Sequence, residues 1–438
     1  MALSDMKLNI ILILFLIVLS PSTHADQTRV SISTVAHNGM PRDIVTPGHR
    51  WNFGRGALWT HKGWQYAAYW DDARQVSVAR RQLPEGGWSV VSLPGYERTE
   101  TGDRGKGGRV SRGFGDGHEK VAMGISPDGV IHLSFDHHLS TLRYRRTLEG
   151  VANSPGSHEW TADLFGPVQN NLGGEKLVRV TYPSFTSDGT HFSLCLRLNG
   201  GSGSADSHFF SYRDGKWVIN DMPSSKLIDK HWSGGDKTVN AYPHGMVIRD
   251  GRRYLTWSWR DTPNKRTSHD LCFAYSDDHG KTWKNNEGET VAETGKTYIT
   301  ADSPGIVAFP MSAGTQFING GSMAVDDRGT VHVVMRGEEG HFVLFQRNPD
   351  SKVWTKRKSP SNGVIYAGED RDLFFVSPKG LKRVTGDDLK ETETIDPDVG
   401  SLFRDSRMGY DRTRDDGWIS VIGQDGKTVS VVDYRMMD

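Results

Sequence analysis

Cysteine is almost missing from this chain: its 438 residues include 2, Cys195 and Cys272. That excludes a disulfide scaffold and leaves room for one bridge, which the spacing of the pair does not itself indicate. Charge of one sign is missing too, since 53 basic residues balance 53 acidic ones to a formal net charge of +0. The balance argues against nucleic acid or a membrane surface as a partner. No long helical pattern is present, and beyond the first residues no apolar run is long enough to span a bilayer. What the chain has in quantity is Gly, at 50, and Trp, at 13. With short strand-like runs between turn residues, they point to an all-β chain.

The chain begins like an export signal. Lys7 supplies a positive n-region, Leu8 to Leu19 is a largely apolar core too short to cross a membrane, and Thr23-His24-Ala25 closes it with small residues. We therefore expect a cleaved signal peptide over residues 1–25 and a mature protein, 26–438, that is secreted or periplasmic. No Cys stands at the cleavage point to suggest a lipid anchor.

Thr28 to Val35 reads as an isolated strand. From there, strand–turn–strand units recur at roughly 40–60 residues, the period of a repeat fold. The first is G-A-L-W-T-H-K-G-W-Q-Y-A-A-Y-W-D-D, running on to Trp88; the following units close near Trp160, Trp217, Trp283 and Trp354. A weak sixth unit covers Val364 to Thr394, and a seventh runs from Gly400 to the C-terminus. Seven units of about four strands predict a seven-bladed β-propeller, one catalytic domain closed by the N-terminal strand, with a two-domain β-sandwich as the alternative. The polar stretch Gly95 to Gly115 is expected to be a loop over the mouth. Ser276-Asp277-Asp278-His279-Gly280-Lys281-Thr282-Trp283 matches the Asp-box, S-x-D-x-G-x-T-W, of sialidase-like propellers, a marker of fold and not of chemistry.

In a propeller blade the first strand begins and the second ends at the same mouth. That rule puts His118 and His138 from the second unit, Tyr182 and Arg197 from the third, and Tyr242 and Arg260 from the fourth on one rim. Any one of these has an ordinary explanation, such as a packing Tyr-Pro or a solvated strand-end Arg; their coincidence across three consecutive units is what signals a site. Glycosidases normally need two carboxylates about the bond they cut. A β-elimination beside a uronate needs what is present here. A bidentate Arg neutralises the carboxylate and the enolate-like charge that develops. A neutral His takes the C5 proton, and a Tyr protonates the departing O4.

The motifs G-D-G-H, I-S-P-D-G-V-I-H-L-S-F-D-H-H, T-Y-P-S-F, L-R-L-N-G-G-S-G-S-A-D and N-A-Y-P-H-G resemble, in order and spacing, the ulvan lyases of polysaccharide lyase family 25. The related family 24 comes next, inside the BNR-repeat propeller superfamily. The likeness runs from about Trp51 to Trp354. It implies a seven-bladed propeller that cleaves ulvan, a sulfated rhamnose–uronate polysaccharide, leaving an unsaturated uronyl end. It implies His118 and Tyr182 as catalytic, His138 as the second His, and Arg197 as the neutralising group. Tyr242 would assist; Arg260, placed on the rim by the strand rule, joins the expected substrate-binding residues. Strand alternation leaves open which of His137 and His138 faces in, and the resemblance selects His138. It implies no cofactor for catalysis but a structural metal, commonly zinc. Cys272 with His244, His269 and His279 is the Cys/His set that would hold it. Two other readings compete. One is an α-L-rhamnosidase on the same fold; the other is a non-catalytic carbohydrate-binding propeller with Trp59, Trp64, Trp70, Trp257 and Trp259 as stacking platforms.

Overall fold

Short β-branched and aromatic runs broken by Asp-Gly turns form seven small antiparallel sheets, arranged as the blades of a β-propeller. The computed structural model describes residues 30–40, 56–97, 118, 120–218, 225–232, 235–315, 321–337, 341–368, 372–386, 389–395, 399–404 and 408–436. The expected signal peptide and most of the Gly95–Gly115 loop lie outside them.

Blade one holds strands Leu58–His61, Trp64–Trp70, Val76–Gln82 and Ser89–Leu93. Blades five and six are equally regular, with four strands each, and the sixth occupies the weak unit that begins at Val364. Blade seven pairs Val30–Ala36 with Thr428–Arg435, so the first strand among the described residues completes the sheet made by the last. This closure leaves the ring without an open edge at the junction of its ends.

The core lies within and between the sheets. Trp70, Trp257, Trp259 and Trp283 are fully buried, and Trp59 of blade one meets Phe192 of blade three edge-on at 6.2 Å. Truncating such a Trp costs about 3–5 kcal/mol. The proposed stacking platforms are therefore spent on packing: Trp59, Trp70, Trp257 and Trp259 are all buried, and Trp64 packs against the same core. Among the described residues the two cysteines are free thiols.

The Asp-box shows how one blade corner is fixed. Asp278 accepts from Thr282 N (2.8 Å), Thr282 Oγ1 (2.6 Å) and Ser276 Oγ (2.8 Å), and Trp283 Nε1 donates to Gly280 O at 3.1 Å. Gly280 is required twice over. Its φ is +88°, and a Cβ there would stand 2.5 Å from the Phe209 ring.

Candidate functional site

Blades two, three and four meet at one mouth, and two local irregularities deliver the side chains to it. Blade two has three strands, Val121–Ile125, Ile131–Phe135 and Tyr144–Arg146. After Phe135 the chain turns at Asp136, with φ +60°, and residues His138–Ser140 leave that sheet. They pair instead with Val180–Ser187, the first strand of blade three, in the register Thr181↔His138. His138 is therefore not at the end of the second strand of blade two, as the repeat rule places it, but on a strand crossing to the next blade.

The second irregularity is a bulge in Val180–Ser187. Thr181 pairs with Arg197 and Ser184 with Cys195, leaving one extra residue on the first strand. Pro183, which lacks an N–H, sits in this break, as a proline in a sheet must. Tyr182 takes φ +58° and is 39% exposed in an otherwise buried sheet. The same Tyr-Pro step recurs in blade four, where Asn240–Arg249 bulges between Pro243 and Gly245. A bulky residue in the left-handed region stores about 1–3 kcal/mol of strain, which clusters at functional sites.

The result is a compact cluster. His118 and His138 stack, centroids 4.0 Å apart and planes 22° from parallel, and the Tyr182 ring lies 5.5 Å from His118. Tyr242 meets Tyr182 edge-on at 6.4 Å. The Arg197 guanidinium sits against both phenol rings, 4.8 Å from the centroid of Tyr182 and 5.6 Å from that of Tyr242. It is 5% exposed, and its Nε and Nη1 are buried with no hydrogen-bond partner. Two unsatisfied donors on a buried cation are costly unless an anion arrives.

Tyr242 is held more tightly. Its hydroxyl shares a 2.8 Å hydrogen bond with Ser202 Oγ and accepts from Arg260 Nη1 at 3.0 Å. Burial would push its phenol up, but Arg197, the Ser202 hydrogen bond and Arg260 together outweigh burial and hold it below the ordinary range. Arg260 also donates from Nε to Thr262 O (3.2 Å) and from Nη2 to Pro263 O. The structure thus uses Arg260 to fasten Tyr242 and the loop beyond the strand. Ser202, which sequence reasoning passed over, lies in the G-G-S-G-S run; that run is the hairpin tip of blade three reaching across to blade four.

His137 turns the other way. It is fully buried, with Nε2 3.0 Å from Ser134 Oγ, and burial and Arg143 lower its pKa to about 3. Two nearby carboxylates are already engaged. Asp136 bonds Tyr96 and lies 3.7 Å from Arg143 Nη1, while Asp206 accepts from Asn199 Nδ2 (3.2 Å) and Lys230 N (3.0 Å).

The four residues expected to hold a metal are not brought together. Cys272 is buried in blade four, and burial and Asp270 push its thiol well above the ordinary range, away from the thiolate a metal needs. His269 has both ring nitrogens occupied, by Asp270 at 2.9 Å and Asp261 at 3.2 Å. His244 lines the central cavity of ≈ 290 Å³ and faces Ser258 Oγ at 3.2 Å. His279 stands in the Asp-box turn, at the end of its blade opposite the mouth.

The seven-bladed ring thus carries an Arg–Tyr–His cluster at one mouth. The chain belongs to the BNR repeat-containing family, whose family model matches residues 64–361. Two solved structures similar in fold are of a polysaccharide lyase family 25 ulvan lyase, one of them bound to -[GlcA(1-4)Rha3S]-. Each is 14% identical, with a TM-score of 0.62, covering 91% of this chain and 94% of that one. A Hadza microbial sialidase is 12% identical, with a TM-score of 0.45, over 84% of this chain and 73% of its own. No curated protein matches the chain in sequence.

Proposed function

We propose that the protein is a polysaccharide lyase that cleaves ulvan, a sulfated rhamnose–uronate polysaccharide, by β-elimination. The observation that carries this reading is Arg197: a buried guanidinium with two open nitrogens against Tyr182, whose ring in turn lies 5.5 Å from His118. A planar fork with unsatisfied donors suits a carboxylate, and a carboxylate at that point sets a uronate ring against Tyr182 and His118. The ulvan-type repeat bound by the family 25 relative agrees with it.

The chemistry then follows from the residues. Arg197 neutralises the uronate carboxylate and the enolate-like charge that builds as C5 loses its proton. His118 takes that proton. The electron pair forms the C4–C5 double bond as the C4–O4 bond breaks, and the exposed Tyr182 hydroxyl gives its proton to O4. His138, stacked on His118, positions that ring, and Tyr242 orients Arg197. No step requires a metal. A polymer substrate also fits the exported protein that residues 1–25 suggest.

Incubating the purified protein with ulvan and following ultraviolet absorbance of the unsaturated uronyl product tests the proposal. A steady rise is expected. Release of reducing sugar ends without that absorbance would make the protein a hydrolase, and neither signal with retained binding would make it a binding propeller.

A further inference from the structure

The hairpin tip of blade three leaves its own sheet and docks on blade four. It joins strands Phe192–Gly201 and Ser204–Arg213, whose register slips between Leu198 and Gly201. Asn199 at φ +59° and Gly203 at φ +83° shape the turn. Gly203 also allows a close approach: a Cβ there would stand 2.6 Å from Thr262 Cα, in the loop beyond Arg260. The tip is held at both ends. At its base Asp206 accepts from Asn199 Nδ2 (3.2 Å) and Lys230 N (3.0 Å), and Lys230 Nζ donates to Asn199 O at 3.0 Å. At its apex Gly203 N donates to Oδ1 of the fully buried Asn240, the first residue of Asn240–Arg249.

Ser202 is thereby set against Tyr242, and the contacts close on themselves. Ser202 Oγ lies 2.8 Å from the Tyr242 hydroxyl, which accepts from Arg260 Nη1 at 3.0 Å. Arg260 Nε donates to Thr262 O at 3.2 Å, and Thr262 is the residue that Gly203 packs on. A closed circuit of this kind is stiffer than its separate bonds, because no member moves alone. The circuit bears on Arg197, whose guanidinium lies 5.6 Å from the centroid of the Tyr242 ring with Nε and Nη1 unpartnered. Such a fork holds a carboxylate in two places at least cost when its plane is set beforehand.

We propose that Ser202 is a positioning residue: carried by the tip of blade three, it locks the Tyr242 ring of blade four against Arg197 and so aims the open edge of the guanidinium at the uronate carboxylate. The uronate rests on the lyase reading, whereas the lock is a property of the protein without substrate. Ser202 acts through Tyr242 and not on the sugar. A tip that only braced two blades would leave Tyr242 indifferent to the Ser202 hydroxyl.

Ser202→Ala, Ser202→Thr and Gly203→Ala, each made in the full chain, provide the test, with two readouts. Without substrate, ultraviolet difference titration follows the Tyr242 phenol. Burial alone would push that phenol up; Arg197, the Ser202 hydrogen bond and Arg260 hold it below its ordinary range, so it reports on them. Ser202→Ala should move its ionisation upward by about one pH unit, the worth of a hydrogen bond to a charged group. Gly203→Ala keeps the hydroxyl but forces the tip off Thr262, and it should do the same. Ser202→Thr should stay near wild type. With ulvan, Ser202→Ala should raise KM roughly tenfold and lower kcat far less, since the carboxylate is gripped before the reaction begins. A phenol unmoved in both Ala variants overturns the assignment, as does an equal loss in Ser202→Ala and Ser202→Thr. A moved phenol in a chain that makes no unsaturated product upholds the lock and fails the lyase reading. Circular dichroism checks the fold of each variant, and if Gly203→Ala does not fold, the contrast between Ala and Thr at Ser202 decides.

Discussion

His118 and His138 stack at 4.0 Å although the second is carried by a strand hydrogen-bonded to blade three. The pair exists because Asp136 and Leu139, at φ +60° and +61°, turn the chain twice within four residues. Loosening that crossing separates the two rings without touching either one. His118→Ala and Tyr182→Phe should each lower turnover by ~10²–10⁴-fold, the usual weight of a general acid or base, with far-ultraviolet circular dichroism unchanged. His138→Ala should be milder. Near-normal product release by His118→Ala would move the base to another residue.

Arg197→Ala should reduce kcat/KM severely. Removing one partner of a buried charge pair costs about 2–5 kcal/mol, or roughly 30- to several-thousand-fold. Arg197→Lys should recover little, because a point charge cannot grip a carboxylate in two places. Initial rates on ulvan check both variants, and a Lys variant near wild-type activity would refute bidentate recognition.

Tyr242 carries a spectroscopic prediction. Its phenol is held below the ordinary range by Arg197, Ser202 and Arg260 acting against burial. In a difference titration against Tyr242→Phe, this residue should ionise below ~10, the free phenol value. Arg197→Ala should move it upward. A depressed folded pKa adds stability that is complete above the unfolded pKa and lost as pH falls through the folded one. Tyr242 ionisation at or above the free value would contradict the geometry.

Acid should weaken the fold through histidines that have nothing to do with turnover. Burial lowers His137 to about 3 and His208 to about 4, from the ordinary 6.5. The unfolded chain therefore binds protons that the folded chain refuses, so stability is complete above ~6.5 and falls as pH drops toward those values. Each group is worth on the order of a few kcal/mol across that window, at about 1.4 kcal/mol per unit. Urea unfolding between pH 7 and 4 should show the slope, and His208→Gln should flatten part of it.

Blade boundaries were readable because each blade is local: an alternating strand, an Asp-Gly turn and an aromatic strand lie side by side in sequence and in space. The closing strand was readable for a related reason, since an unpaired strand at one end needs an edge at the other. The rim was readable in outline, because repeats put equivalent residues at equivalent places. The crossing strand His138–Ser140 was not, since its pairing with Thr181 skips between units and depends on two residues at positive φ. Nor was the fate of Arg260, whose acceptors Thr262 and Pro263 lie in an irregular loop. Tryptophans that read as ligand platforms became core, because their neighbours across the sheet stack bury both faces. The Cys272 set is not brought together because its members sit apart: His269 is held by Asp270 and Asp261, His244 lines the cavity, and His279 stands in the Asp-box turn.

Pairing Val30–Ala36 with Thr428–Arg435 also sets a timetable. Val30–Ala36 finds its partner only after everything up to Thr428 has been synthesised. Blades one to six can form in order as they emerge, but the seventh must wait, with its first strand idle.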